Sequence, residues 1–74
     1  MRPDQRELAN RLFTIITEVL EDSAVCAVKG QSAKITAGQA HTLAREIRSA
    51  GQNIIACADA ALVVIGRSKQ TYRP

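Results

Sequence analysis

The sequence predicts an all-α protein folded as an antiparallel helical hairpin, and three observations carry that prediction. Apolar residues recur at spacings of three and four through most of the chain. Thr36-Ala37-Gly38-Gln39 matches a capping box and opens a second periodic segment directly after a short polar stretch. Residues 54 to 65 then form an apolar run interrupted only by Asp59, more apolar surface than one neighbouring helix can cover.

The first helix is expected over about 4–28. Asp4 and Glu7, preceded by Pro3, offer carboxylates to the unsatisfied amides of a first turn. Leu8, Leu12, Ile15 and Val19 follow at helical spacing, with Ala9, Phe13, Ile16 and Leu20 beside them as a wide apolar stripe. Arg6, Asn10, Arg11, Thr14, Thr17, Glu18, Glu21 and Asp22 occupy the other side. Lys29-Gly30 reads as a helix end, a cation near the last carbonyls followed by a residue suited to a left-handed turn. Gln31-Ser32-Ala33-Lys34 has the length that joins antiparallel neighbours.

The second helix is expected over about 36–66, with Ile35 as the staple residue before its cap. Its seam is Ala40, Ala44, Ile47, Gly51, Ile54, Ala58, Ala61 and Ile65, with Leu43, Ala50, Cys57 and Val64 forming a second row. Gly51 is where a kink or break would fall, since an interior glycine costs about 1 kcal/mol relative to alanine. The unbroken heptad phase favours one long helix; a break would give a three-helix bundle instead. Residues 1–66 form the domain, and the polar, basic segment 67–74 is expected to be a flexible tail.

Folding about residue 32 would bring residues whose numbers sum to about 64 level with each other. Glu18, Glu21 and Asp22 would then face His41, Arg45 and Arg48, and Asp59 would fall near Arg6. The charge distribution suits this. Residues 1–28 hold three basic and five acidic side chains, net −2, and residues 29–74 hold seven and two, net +5. Cys26 and Cys57 would lie about 28 Å apart, too far for a disulfide.

A 74-residue chain with only Phe13 and Tyr72 as aromatics must build its core from aliphatic and alanine side chains. Of the six large aliphatics in the apolar run, one helix covers about half. Leaving three exposed forgoes about 5 to 9 kcal/mol of burial, comparable with the whole stability of a small domain. The run is too short at 12 residues to span a bilayer, which takes about 20. The expected remedy is a homodimer that forms a four-helix bundle through Ile54, Ile55, Ala58, Ala61, Leu62, Val64 and Ile65.

No catalytic, metal-ligating or cofactor-binding pattern is present in the sequence. His41 is the single histidine, the two cysteines lack CxxC spacing, and no glycine-rich phosphate loop occurs. The cysteines read as small apolar residues of a reducing compartment, and the charged N-terminal stretch offers no signal-peptide core, so a cytoplasmic address without membrane insertion is expected. Residues 39–47 look like the first helix of a helix-turn-helix, but the segment where a recognition helix would sit, 53–65, has no Arg, Lys or Gln to read base edges.

The expected function is therefore that of a small non-enzymatic protein-interaction module. It would act as an adaptor, regulator or inhibitor docking on a larger protein, with a phage or mobile-element modulator of a host protein as one concrete form. Arg45, Arg48, Arg67, Lys69, Tyr72 and Arg73 are the expected partner-binding residues. The alternative is a sequence-tolerant nucleic-acid accessory protein that lays the same cations and basic tail against phosphates.

Overall fold

In the computed structural model, which describes the backbone of residues 1–70 and the side-chain surroundings of residues 1–66, two helices pack side by side. Helix α1 spans Pro3–Gly30 and α2 spans Ala37–Gln70, joined by the six residues 31–36. The antiparallel hairpin expected from the periodicity is what forms.

The helix ends follow local chemistry. Pro3 occupies the first helical position, where its missing N–H is no loss, and Asp4 lies in the first turn. The cap is two residues earlier than Asp4, at Arg2, whose backbone N–H donates to Gln5 Oε1 at 2.9 Å. At the other end α1 runs two residues past Val28. No glycine among the described residues has positive φ, so the left-handed turn expected at Gly30 is absent. Gln31 stays right-handed, and the Gln31 and Ser32 N–H groups donate to the Val28 and Lys29 carbonyls at 3.1 and 3.3 Å, a tightened last turn.

Thr36 begins α2 as its pattern predicts. The Gln39 N–H donates to Thr36 Oγ1 at 3.1 Å and the Thr36 N–H to Gln39 Oε1 at 3.0 Å, a reciprocal capping box. From there the helix passes unbroken through Gly51 and continues to Gln70, four residues beyond the expected stop at Gly66. The backbone of residues 67–70 thus belongs to α2, while their side chains and residues 71–74 lie outside the described residues.

The seam of α1 is Gln5, Ala9, Leu12, Ile16, Val19, Ser23 and Cys26, spaced alternately by four and three. Ser23 is accommodated there because its hydroxyl donates back to the Val19 carbonyl at 2.8 Å. The side of α2 turned toward it is Leu43, Ala50, Ile54, Cys57, Ala61 and Val64. These residues combine the predicted second row with Ile54 and Ala61 of the predicted seam. The rest of the seam flanks the contact, because an apolar arc this wide cannot be centred on one helix.

The hairpin's interior is thin. Among the described residues only Ala9, Ala61 and Val64 are buried apolar ones. Accessible surface is 5913 Å², where a compact monomer of 8.0 kDa exposes about 4,500 Å². The radius of gyration is 17.1 Å against about 11 Å for a compact domain of this length.

Candidate interaction surface

Eleven large apolar side chains are at least a third exposed on this hairpin, and their positions define its surfaces. With about 100° between successive residues, Phe13 and Leu20 fall on one flank of the α1 seam and Leu8, Ile15 and Cys26 on the other. The Cys26 thiol donates to Glu46 Oε2 at 3.4 Å, and Leu8 shares a surface groove with Val64. Those contacts assign the Glu46 and Val64 flank of α2 to the Leu8 side. The opposite flank of α2, carrying Gly51, Ile55, Ala58 and Leu62, therefore lies beside Phe13 and Leu20. Phe13 is 52% exposed, Ile55 62% and Leu62 67%, so this side is a continuous apolar face.

The seven residues expected at a dimer interface separate between two roles. Ala61 and Val64 are buried in the hairpin, and Ile54, Ala58 and Ile65 are half-buried. Ile55 and Leu62 stand out on the exposed face. Val63 is 52% exposed on the back of α2, so three of the six large aliphatics in the run remain uncovered, as α1 has only one stripe to offer. Phe13 and Leu20 were legible as part of the α1 stripe; their place on this face depends on how each helix is turned about its own axis, which periodicity did not fix.

Several expected contacts do not form. Level residues sum to about 72 rather than 64, as the Cys26–Glu46 hydrogen bond and the groove shared by Leu8 and Val64 show, because α1 runs on to Gly30 and the turn lies later in the chain. The expected pairing of Glu18, Glu21 and Asp22 with His41, Arg45 and Arg48 is absent, as is that of Asp59 with Arg6. The ion pairs among the described residues lie within the N-terminal half of α1, Arg2 Nε to Asp4 at 3.8 Å and Arg11 to Glu7 at 3.1 Å, all well exposed. Glu18, Glu21, Asp22, His41, Arg45 and Arg48 are exposed, turned away from the seam. The complementary charge of the two halves is thus displayed on the surface.

Of the expected partner-binding residues, Arg45 and Arg48 are exposed on the outer side of α2. Arg67 and Lys69 have helical backbones, with side chains outside the described residues, and Tyr72 and Arg73 lie wholly outside them. Cys26 and Cys57 are free thiols. The hydrogen bond to Glu46, reinforced by a little desolvation and by the carboxylate's charge, pushes the Cys26 thiol above its usual range. Among the described residues no three His, Cys, Asp or Glu side chains converge as a metal site.

The 30 residues Ala37–Gly66 of α2 are long and apolar enough to cross a membrane by length and composition. The 12-residue run alone fell short of that length. Gln52, Asn53 and Asp59 lie within the most apolar portion, and Asp59 at a bilayer centre is costly, about 3 kcal/mol. Comparison of the chain with family models, curated proteins and solved structures finds no match.

Proposed function

We propose that this chain is a non-enzymatic protein-interaction module, a dimeric helical hairpin that serves as an adaptor, regulator or inhibitor by docking on a larger protein. The observation that carries the reading is the apolar face of Phe13, Leu20, Ile55 and Leu62, left open by a hairpin with three buried apolar residues. Apolar surface of that extent on an 8.0 kDa chain is stabilised by covering it with protein. Once the face is covered, the outer side of α2 with Arg45, and the basic C-terminal segment, remain to meet the larger partner.

The test is crosslinking in the cells that produce the chain, followed by identification of captured proteins. A defined protein captured by the native chain and lost on Arg45→Glu, or on removal of residues 67–74, supports the reading. Capture unchanged by both variants removes those residues as the docking surface, and no capture beyond the chain itself removes the reading.

A nucleic-acid reading draws on the exposed Arg45 and Arg48, neither of which joins an ion pair among the described residues. It predicts binding to labelled duplex or single strands that weakens steeply as salt rises. Absence of binding at low salt removes it.

A further inference from the structure

We propose that the occupant of the open apolar face is the same face of a second copy, related by a two-fold axis parallel to the hairpin, so that each α1 lies against the partner's α2. This deepens the dimeric reading above and rests on it.

Three observations converge on a second copy. The first is area. The hairpin measures 60 × 17 × 12 Å, so covering its broad side removes on the order of 1,000 Å² per protomer, above the roughly 800 Å² per partner of a standard stable interface. The excess of the surface over that of a compact monomer is of the same order.

The second is shape. On this face α1 offers Phe13 and Leu20, and α2 offers Ile55 and Leu62 separated by Ala58 and Gly51. A Cβ built on Gly51 meets nothing within 4 Å, so the dip at this level of α2 is open for a neighbouring side chain. Large side chains on one helix and alternating large and small ones on the other are what a close interhelical contact requires.

The third is charge. At the edges of the face α1 carries Arg6 and Glu21, and α2 carries Arg48 and Asp59, all exposed. A two-fold axis parallel to the hairpin leaves every level unchanged, so no sliding of register is available to make charges match. With level residues summing to about 72, Glu21 falls within side-chain reach of the second copy's Arg48, while Arg6 lies about two helical turns from its Asp59. Phe13 meets the level of Ala58 in the same arrangement. A pair of opposite charges that the two halves of the chain do not bring together is thus made between copies. An all-antiparallel four-helix bundle results, with Ile47, Ile54 and Ile65 of α2 turned toward its axis.

The experiment uses the full chain with Cys26→Ser and Cys57→Ser, to clear the native thiols. Phe13→Cys and Ala58→Cys are introduced in separate preparations, mixed, and oxidised mildly. The expected result is a dimer by sedimentation and a disulfide joining a Phe13→Cys chain to an Ala58→Cys chain. A dimer in which Ala58→Cys crosslinks only to itself overturns the axis, since that contact belongs to copies related by an axis across the hairpin. A second arm reverses the edge charges. Glu21→Lys and Arg48→Glu each weaken association about threefold to tenfold, and the chain carrying both recovers it. Failure of recovery removes the pairing.

A monomer at all concentrations overturns the proposal, and so does flotation of the native chain with vesicles of neutral phospholipid, which would assign the face to a bilayer. A monomer that still captures a larger protein sinks this inference alone. A dimer that captures none leaves it standing and sinks the docking reading.

Discussion

Leu62→Ala separates the two states of this chain more sharply than any other single change. In the hairpin alone Leu62 is 67% exposed, so its truncation removes little that folding had buried and shifts the hairpin's own stability by less than about 0.5 kcal/mol. In the proposed dimer the same two-thirds of the side chain would be withdrawn from water. Fully burying a leucine is worth about 2 kcal/mol, so the loss is about 1.5 kcal/mol per copy and about 3 kcal/mol per two-fold dimer. That corresponds to about a hundredfold increase in the dissociation constant. Sedimentation equilibrium across three decades of concentration reads it directly, and helical circular dichroism on the same dilutions shows whether the helices persist when the copies part. A dissociation constant within threefold of the native value would refute the reasoning, because it would mean that Leu62 faces water in the dimer as it does in the hairpin.

Other perturbations probe the hairpin itself. Ala61→Leu adds bulk at a side chain only 3% exposed and should lower stability by about 1 to 3 kcal/mol in thermal unfolding at fixed concentration. Thr36→Ala removes the hydroxyl that accepts the Gln39 N–H and should cost about 1 kcal/mol, read as a lower urea midpoint with an unchanged slope. Glu46→Gln should make Cys26 react faster with a thiol reagent at pH 8, since the carboxylate that holds the thiol protonated is gone. The sign for pH follows: the Cys26 pKa is raised in the fold, so its contribution is fully present below the ordinary thiol pKa and is lost as pH rises through the raised value. Titration of the thiolate absorbance in Cys57→Ser should therefore show Cys26 ionising at higher pH in the native chain than in Glu46→Gln, and no difference between the two would contradict the Cys26–Glu46 contact.

The local features of this fold were legible because each depends on neighbours in sequence. The Thr36 box, the continuity of heptad phase through Gly51 and the apolar stripe of α1 all follow from spacings of three and four. What periodicity left open was rotation about each helix axis and the level of one helix against the other. Ala9 shows the difficulty. Its methyl group gives a weak signal beside Leu8 and Phe13, yet at 4% exposed it sets the line along which α2 approaches, and the leucine and phenylalanine are displaced to the flanks. The register shifted because two more residues joined the end of α1 at Gly30, and with it went the expected ion pairs between helices. The open face follows from both variables together. Ile55 and Leu62 could be named from the run, but their companions Phe13 and Leu20 required the rotation of each helix, to which the Cys26–Glu46 hydrogen bond testifies.

The hairpin's thin interior has a consequence for the amount of protein present. Three buried apolar side chains among the described residues give the chain little to hold it folded in isolation, so if the copies pair as proposed, folding and pairing become one equilibrium and the folded fraction rises with concentration. Newly made chains at low abundance spend much of their time open and accessible to proteases, while chains made in excess of the dissociation constant protect one another. Such a protein persists only after a burst of synthesis and disappears steeply as synthesis slows, so its lifetime would be set by its own copy number.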